Sequence, residues 1–335
     1  MLSKEVHLAV VPDGLPRPEH FVLVERPIPV AGPDDVLVRN RFFQVSARLR
    51  TLLSGALDDT PLPPVRPGKS LPSATIGEVV TAPGDSGLHP GDLVFHWLGW
   101  REYAAVPHAM VTPIDDTLPD PVAHLGSGWT AYAALTANAQ LRTGETVLIT
   151  GGAGGVGSLA GQIARRLGAA RVIGTTGSPE KAERMRTELG YDAVLLRGGE
   201  PMATQLAKAA PDGLDVIVDN VGGEQLTVAL AAARPGARVS LVGALAGQLS
   251  PERHGGTAPV EIDTFQLILK GITIRGFEAP VDPTAHAEWL ARFGGWLRSG
   301  EITFPHTRVA GIDNAARTLH EVISGRYLGT VVVEV

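Results

Sequence analysis

Cysteine is absent from this 335-residue sequence. Its absence excludes disulfides, thiolate catalysis and every zinc site built on sulfur ligands. The ten histidines are scattered, and none belongs to an H-E-x-x-H pattern. We therefore expect no metal site.

Long apolar runs and basic clusters are missing as well. No stretch approaches the roughly 18 consecutive apolar residues that a membrane-spanning helix needs. The net charge is −6 without a basic block, so a nucleic-acid partner would lack its electrostatic footprint. The first residues lack the order of a secretory signal, and we expect a cytoplasmic protein. We expect a small-molecule substrate, and neither a nucleic acid nor a membrane as partner.

Glycine, in contrast, accounts for 40 residues, and its most informative occurrence is Gly151-Gly-Ala-Gly-Gly-Val-Gly157. This stretch follows the apolar run Thr146–Thr150 and opens an amphipathic segment, which indicates a strand, a tight turn and a helix. Gly152, Gly154 and Gly157 fit G-x-G-x-x-G. In that motif the glycines permit the turn, let a pyrophosphate approach the backbone and pack the helix on the strand. The helix N-terminus favours the same phosphate.

The surrounding sequence supports a nucleotide-binding domain, because apolar runs alternate with helical patterns from about residue 123. The predicted strands are Thr146–Thr150, Arg171–Thr175, Ala193–Arg197, Asp215–Asp219, Arg238–Gly243 and Ile272–Phe277. The predicted helices between the first five are Gly157–Leu167, Pro179–Leu189, Pro201–Ala209 and Gly223–Ala232. This alternation predicts an α/β fold with a doubly wound parallel sheet, and six strands match the 3-2-1-4-5-6 order of a Rossmann fold.

The two ends of the chain predict a second domain. Residues 1 to about 120 carry short alternating runs between prolines and glycines, which are typical of a small β barrel or sandwich. Helices are predicted at about 283–299 and 313–324, and the closing run Gly329–Val335 has no helix after it. We expect this last strand to return to the N-terminal β domain. The predicted domains are 1–122 with 305–335, and 123–304 for the nucleotide.

The end of the second predicted strand indicates which nucleotide binds. It reads Gly174-Thr-Thr-Gly-Ser178 and offers no carboxylate. An NAD enzyme usually places Asp or Glu there to hold the ribose 2′-hydroxyl, whereas a 2′-phosphate needs cations. Lys181 and Arg197 can supply positive charge, with Thr176 and Ser178 as donors. Ser178 can equally be a helix cap, and both roles can hold together. We expect NADP.

Three stretches occur in the order Gly151–Gly157, Asp219-Asn-Val-Gly-Gly223 and Ile274-Arg-Gly-Phe277, and with them the chain resembles the medium-chain dehydrogenase/reductase superfamily. It is most similar to the zinc-independent branch that includes prostaglandin reductases, alkenal double-bond reductases and bacterial curcumin reductase. Gly99-Trp-Arg-Glu-Tyr103 and Trp129-Thr-Ala-Tyr132 extend the resemblance to nearly the whole chain. The resemblance implies a GroES-like β domain and a Rossmann domain, with cofactor and substrate in the cleft between them.

The resemblance also implies nicotinamide-binding residues. Asn220 and the backbone around Val242, Gly243 and Ala244 would line the nicotinamide side, and main-chain groups of Phe277 would face the carboxamide. The alternative for these residues is a strand end, a turn and core packing. The full predicted cofactor-binding set is Gly152, Ala153, Gly154, Gly155, Val156, Gly157, Thr176, Ser178, Lys181, Arg197, Asn220, Val242, Gly243, Ala244 and Phe277.

The substrate side departs from the pattern of the branch. Ser46-Ala-Arg-Leu-Arg50 stands in place of D-P-Y-M-R and keeps only the final arginine. Gln248 falls where the branch often offers a tyrosine. The closing N-x-G-K reads Tyr327-Leu-Gly-Thr330, and Arg197 replaces a tyrosine at the end of the third strand. The cofactor platform is therefore kept while the substrate pocket is changed.

These departures leave the catalytic group unknown, with Gln248, Arg48 and His96 as candidates. The candidates for the substrate pocket are Arg48, Arg50, Trp97, Trp129 and Gln248. Gln248 would donate an amide hydrogen to a developing enolate, and either arginine would hold a negatively charged substrate group. The alternatives are surface ion pairs for the arginines and a satisfied structural histidine for His96.

We predict an NADPH-dependent reductase that transfers a hydride to an activated C=C bond. One alternative is a quinone oxidoreductase or a biosynthetic tailoring reductase with a different acceptor, which the changed pocket favours. Another is a non-catalytic NADPH-binding module, favoured by the loss of the tyrosine. The resemblance further implies a homodimer, for which a sheet edge near Ile272–Phe277 could serve.

Overall fold

The structure is a computed structural model and describes residues 1–54, 64–251, 255–279 and 282–335. The chain divides into two compact units. Unit 1 comprises Met1–Leu125, Leu249–Gly256 and His306–Val335, and unit 2 comprises Gly126–Gln248 and Thr257–Pro305. The domain boundaries predicted from the sequence stay a proposal. Among the described residues, no helix is both long and apolar enough to span a membrane.

The strands of the described residues are, in chain order, β1 (Leu2–Leu8), β2 (Phe21–Pro27), β3 (Asp35–Val45), β4 (Thr75–Thr81), β5 (Leu93–His96), β6 (Tyr103–Pro107), β7 (Thr112–Pro113), β8 (Thr146–Ile149), β9 (Arg171–Thr176), β10 (Ala193–Leu196), β11 (Leu214–Asp219), β12 (Ala233–Leu241), β13 (Thr273–Gly276), β14 (His306–Ala310) and β15 (Thr330–Glu334). The α-helices are α1 (Leu49–Leu52), α2 (Gly128–Ala133), α3 (Gly157–Arg166), α4 (Pro179–Glu188), α5 (Met202–Ala209), α6 (Gly223–Ala231), α7 (Leu245–Gln248), α8 (Thr264–Lys270), α9 (Pro283–Ser299) and α10 (Ala315–Ile323).

Unit 1 is organised around β3, which pairs antiparallel with β4, β6 and β15. Its sheet runs in the order β14-β15-β3-β4-β5-β7. The closing strand β15 lies beside β3, with Val331 opposite Val45. The polar strand β14 pairs parallel with β15, and the sequence did not predict it because His306-Thr-Arg-Val-Ala310 lacks a clear apolar alternation. The apolar side chains of β3, α1 and α10 meet in one core cluster.

Unit 2 contains a six-stranded parallel sheet in the order β10-β9-β8-β11-β12-β13. Numbered from the first strand of the unit, this is the predicted 3-2-1-4-5-6 order, so the Rossmann prediction is confirmed. Strands β8, β9 and β11 are buried along nearly their whole length because parallel neighbours connected by helices are covered on both faces. The helical bounds differ from prediction by one or two residues; for example, Pro201 precedes α5 as its N-cap.

Candidate functional site

The glycine turn lies between β8 and α3 in unit 2 and has the geometry of a phosphate cradle. Gly151 has φ of +62° and donates its N–H to Thr175 Oγ1 at 2.9 Å. A Cβ atom added to Gly157 would lie 2.4 Å from the Gly151 carbonyl oxygen, so only glycine allows the helix to start this close to the turn. Among the described residues, no side chain caps the N-terminus of the ten-residue helix α3. The N–H groups of Ser158, Leu159 and Ala160 donate to backbone carbonyls of the turn, and the positive end of the helix dipole favours an anion at the glycine turn itself.

Tyr191, which the sequence analysis did not single out, packs against the glycine turn and hydrogen-bonds to it. Tyr191 is buried, and its hydroxyl donates to the Gly157 carbonyl at 2.7 Å. Its ring occupies a socket of three glycines: a Cβ at Gly161, Gly174 or Gly152 would lie 2.4, 2.6 or 3.0 Å from the tyrosine side chain. Burial raises the pKa of Tyr191, which keeps the hydroxyl protonated as a donor. The sequence signal that could have indicated this packing is the presence of further glycines, Gly161 and Gly174, outside the motif.

The end of β9 assembles the residues predicted for a 2′-phosphate. Ser178 is the N-cap of α4, and its Oγ accepts the N–H of Lys181 at 3.3 Å. The Arg197 N–H donates to the Thr176 carbonyl at 2.9 Å. The Arg197 guanidinium lies over Gly177, where an added Cβ would approach Nη2 to 2.8 Å. Helix cap and cations thus lie at one strand end, which fits an anion there.

Burial lowers the pKa of Lys181, and the neighbouring Glu180 charge opposes that shift. The end of β9 itself offers no carboxylate, and Glu180 follows only in the first turn of α4. The electrostatics at this strand end therefore favour a phosphate over a ribose diol.

Three further loops follow the carboxyl ends of β11, β12 and β13. Asn220 donates its side-chain amide to the Thr150 carbonyl at 2.8 Å and so ties the ends of β11 and β8 together. Gly243 lies so close to the Asn220 backbone that an added Cβ would reach its carbonyl oxygen at 2.8 Å. The N–H of Phe277 donates to the Leu241 carbonyl at 2.8 Å, which ties this residue to the end of β12. Val242 and Ala244 flank Gly243.

Asp219 is the buried anchor of these loops. Its carboxylate accepts from Thr150 Oγ1 at 2.6 Å, from the Gly222 N–H at 2.8 Å and from the Val221 N–H at 3.3 Å. Burial raises the pKa of Asp219, and the three hydrogen bonds oppose that shift. Ligands bind at the carboxyl ends of the strands in open parallel sheets. The structure therefore brings the predicted cofactor residues of unit 2 to one edge of the sheet.

His96 in unit 1 has the geometry of a structural histidine. It is completely buried, its Nε2 lies 3.0 Å from Asn40 Oδ1, and its Nδ1 accepts the Leu98 N–H at 3.1 Å. Burial lowers its pKa to about 4, and the positive charge of Arg101 adds to the shift. Both ring nitrogens are occupied in this neutral tautomer. The geometry disfavours the catalytic candidate and supports the structural alternative.

The two arginines of the turn before and within α1 have different surroundings. Arg48 is exposed, and its guanidinium lies 5.5 Å from the centre of the Trp97 ring. Trp97 is 42% exposed and packs edge-on against Phe95. Arg50, two residues later, is completely buried. Two arginines close in sequence thus differ, since Arg48 stacks on a partly exposed aromatic ring and Arg50 is buried.

The other two pocket candidates lie in unit 2. Trp129 is half-buried in α2, where its ring stacks near Tyr132 and meets His286 edge-on at 5.4 Å. These rings continue into an aromatic cluster with Trp289 of α9. Gln248 is the last residue of α7, with its backbone N–H bonded to the Ala244 carbonyl. Trp129 therefore has a packing role, and Gln248 sits four residues beyond a predicted nicotinamide loop.

Two family models match the chain. One, described as "Zinc-binding dehydrogenase", covers residues 155–290, and the other, "N-terminal domain of oxidoreductase", covers residues 4–114. The sequence has no cysteine. Over residues 1–54, 64–251, 255–279 and 282–335, no three or more His, Asp or Glu side chains form a group that could hold a metal ion.

Known proteins match over nearly the full length. An NADP-dependent oxidoreductase of Cochliobolus heterostrophus is 30% identical, with 97% of this chain and 95% of that protein covered. The NADPH-dependent curcumin reductase of Escherichia coli is 29% identical, with 98% and 95% covered. The crystal structure of CurA from Vibrio vulnificus in complex with NADPH has a TM-score of 0.89 at 27% identity, covering 99% of this chain and 98% of that one.

Proposed function

This chain belongs to the medium-chain dehydrogenase/reductase superfamily, and from that premise we propose that it reduces the activated C=C bond of α,β-unsaturated carbonyl compounds. It is an NADPH-dependent oxidoreductase of the group that includes curcumin, alkenal and prostaglandin reductases. The observation that carries the cofactor assignment is the end of β9, where Ser178 caps α4, Lys181 follows in the first turn of that helix and the Arg197 guanidinium lies over Gly177.

The residues of unit 2 fit the cofactor in three places. At the turn Gly151–Gly157, a Cβ on Gly157 would clash with the backbone of Gly151 and Gly152, so glycine lets α3 start close to the turn, which suits a pyrophosphate. Ser178, Lys181 and Arg197 would hold the 2′-phosphate. Asn220, Gly243 and the main chain of Phe277 would lie beside the nicotinamide. Bound NADPH supplies the hydride, and the protein supplies position and electrostatics.

The reduction requires the chain to stabilise a negative charge rather than to remove a proton. Hydride adds to the β-carbon of the substrate, the π electrons move onto the carbonyl oxygen as an enolate, and a proton then adds to the α-carbon. The enolate oxygen needs hydrogen-bond donors. We assign this role to the side-chain amide of Gln248. Because an amide is a poor acid, the proton comes from solvent. His96, with both nitrogens bonded, has no part in this scheme.

Pre-steady-state oxidation of bound NADPH against enones, alkenals and quinones tests the proposal. NADPH deuterated on the transferred position should place one deuterium on the β-carbon of an enone, as read by mass spectrometry. A quinone oxidoreductase would instead release the label to solvent through the hydroquinone hydroxyl. If NADPH binds and no acceptor of the panel oxidises it, the protein is a non-catalytic binding module for that panel.

Gln248→Leu provides a second test. Loss of the amide donor should lower kcat by on the order of 100-fold, the usual effect of removing one oxyanion donor, while the Kd of NADPH stays unchanged. Thr227→Val, an exposed position of α6 in the same unit, is the matched control. Unchanged kcat in Gln248→Leu would remove this residue from the mechanism.

The predicted homodimer also belongs to this proposal. Strand β13 forms one edge of the parallel sheet, and the preceding helix α8 exposes three large apolar side chains, Phe265 at 63%, Ile268 at 73% and Leu269 at 62%. A second copy pairing along this edge would cover them. Light scattering should give twice the chain mass, and Ile268→Asp should halve it. A monomeric wild type contradicts the dimer. The cytoplasmic location stays a prediction.

A further inference from the structure

The first residue of the glycine turn is held by two side chains that lie outside the glycine motif. The N–H of Gly151 donates to Thr175 Oγ1 at 2.9 Å, and Thr175 Oγ1 donates to Gln225 Oε1 at 2.6 Å. The single hydroxyl proton of Thr175 is thus directed at Gln225 in the first turn of α6, and a lone pair faces Gly151. Thr175 is 4% exposed, so water has little access to either bond.

This pair of hydrogen bonds acts where the chain leaves β8. Gly151 has φ of +62°, which is a left-handed conformation that glycine adopts easily. Its carbonyl accepts the N–H of Gly154 at 3.0 Å, inside the turn. Both backbone groups of Gly151 are therefore bonded, one to the turn and one to the end of β9. The bond to Thr175 fixes the direction in which the turn leaves the strand.

Tyr191 holds the other end of the same turn. Its hydroxyl donates to the Gly157 carbonyl at 2.7 Å, and its own N–H donates to the Met185 carbonyl of α4 at 3.2 Å. A helical carbonyl ordinarily accepts the N–H four residues later, so the helix does not need this additional donor. The bond from Tyr191 instead fixes the first residue of α3 relative to α4.

The composition of the turn gives these bonds a role beyond stability. Five of the seven residues from 151 to 157 are glycine, and glycine has more backbone conformations to lose than any other residue. A turn that is already held in one conformation pays less of this entropy when it binds a phosphate. Side chains that support a binding loop from outside can supply this preorganisation.

We propose that Thr175, Gln225 and Tyr191 are positioning residues for the cofactor pyrophosphate, and that they hold both ends of the glycine turn in its binding conformation. They act through the backbone of Gly151 and Gly157. The inference rests on the proposed position of the pyrophosphate at this turn, and it does not depend on the acceptor. Since NADPH and NADH share the pyrophosphate, loss of one of these bonds should weaken both nucleotides equally.

Isothermal titration with NADPH, NADH and adenosine 2′-monophosphate tests the proposal. The third ligand carries the 2′-phosphate and lacks the pyrophosphate. Thr175→Val keeps the volume and removes the hydroxyl, and the Kd of both dinucleotides should rise about tenfold, the scale of one hydrogen bond. The Kd of adenosine 2′-monophosphate should stay unchanged. Thr175→Ser keeps the hydroxyl and should bind all three ligands as the wild type does.

Tyr191→Phe tests the other end of the turn with the loss of a single oxygen atom, and it remains informative if Thr175→Val does not fold. The ring keeps its socket, and the Kd of both dinucleotides should rise about fivefold. Gln225→Met frees the Thr175 hydroxyl to rotate while it can still accept from Gly151. We therefore expect a smaller rise, about threefold, with adenosine 2′-monophosphate again unaffected.

Leu206→Ala is the control for a general loss of stability, because Leu206 is 1% exposed in the core of the same unit. It should lower the Tm and keep all three Kd values. The proposal is overturned if Leu206→Ala weakens NADPH as much as Thr175→Val does, because binding would then follow the stability of unit 2.

The pattern over the three ligands gives the remaining outcomes. A lower Tm with unchanged dinucleotide affinity in both Thr175→Val and Tyr191→Phe would show that these bonds only stabilise the fold. Equal losses for adenosine 2′-monophosphate and NADPH would indicate a distorted unit, and a loss for NADPH alone would indicate 2′-phosphate recognition. Each of these results overturns the proposal. Titration needs no turnover, so a failure of enone reduction is seen separately and leaves the assignment of these residues standing.

Discussion

Asp219 at the end of β11 in unit 2 and Arg50 in the short helix α1 of unit 1 are both completely buried charged side chains, and their hydrogen bonding is opposite. The Asp219 carboxylate accepts three hydrogen bonds from a hydroxyl and two backbone N–H groups. The Arg50 guanidinium has no partner among the described residues. The difference separates a buried charge whose hydrogen bonds tie loops of the fold together from one whose hydrogen-bonding capacity the described residues leave unused.

His96 belongs with Asp219 in this comparison, although it lies in the same unit as Arg50. Both of its ring nitrogens are bonded, and its neutral form is favoured by burial. The β-rich unit therefore contains a buried polar side chain with hydrogen-bond partners and another without one among the described residues. Residue type and position in the sequence do not tell them apart, but their hydrogen bonds do.

The largest expected effect on stability comes from removing the carboxylate of Asp219, the buried charge that has hydrogen-bond partners. Asp219→Ala leaves the Thr150 hydroxyl and two buried N–H groups without their acceptor, and we expect the free energy of unfolding to fall by about 4 kcal/mol. Arg50→Met should leave it unchanged or raise it. Urea unfolding of both variants measures this contrast. Similar losses in the two would abolish the distinction.

The pH dependence of stability tests the assignment of His96. Its folded pKa of about 4 lies below the ordinary 6.5, so the unfolded state binds the proton more readily. The stabilisation is fully present above pH 6.5 and is lost as the pH falls toward 4, by about 3 kcal/mol at 1.36 kcal/mol per unit. His96→Gln should therefore approach the stability of the wild type at pH 4. A constant difference between the two proteins from pH 7 to 4 would argue against a depressed pKa.

A substitution in the glycine turn tests whether this turn of unit 2 binds NADPH. Gly157→Ala would force a Cβ against the Gly151 carbonyl, at 2.4 Å before any adjustment, and should displace the helix N-terminus. We expect the Kd of NADPH to rise at least 100-fold, about 2.7 kcal/mol. Gly295→Ala, in α9 with open space around the new methyl group, is the control and should bind NADPH normally. Normal binding by Gly157→Ala would disprove the cradle.

The smallest expected effect tests whether positive charge at the end of β9 selects NADPH over NADH. Arg197→Ala removes the guanidinium that lies over Gly177, and we expect the Kd of NADPH to rise about tenfold, or 1.4 kcal/mol, with the Kd of NADH unchanged. Isothermal titration with both nucleotides measures the selectivity. Arg186→Ala, an exposed arginine of α4 paired with Glu183, is the control. Equal losses for both nucleotides would remove Arg197 from 2′-phosphate recognition.

The sequence by itself determined the fold of the nucleotide-binding unit 2. Strand, glycine turn and helix are local patterns, and the order of six parallel strands follows once each crossover must cover a face of the sheet. The residues before and after Gly151–Gly157 therefore predicted the Rossmann fold. They also showed that the end of its second strand carries no Asp or Glu. The socket of Tyr191 escaped prediction because its three glycines are far apart in sequence.

Only the tertiary structure decided what the charged and aromatic side chains of the substrate side do. Arg48 and Arg50 are two residues apart, yet Arg48 lies on the surface beside Trp97, whereas Arg50 is buried without an acceptor among the residues that the structure describes. The sequence made His96 one of several catalytic candidates, whereas the structure shows that both of its ring nitrogens are hydrogen-bonded, to Asn40 and to the Leu98 N–H. A local pattern fixes a backbone, whereas the free energy of a buried charge depends on partners that the fold brings from distant parts of the chain.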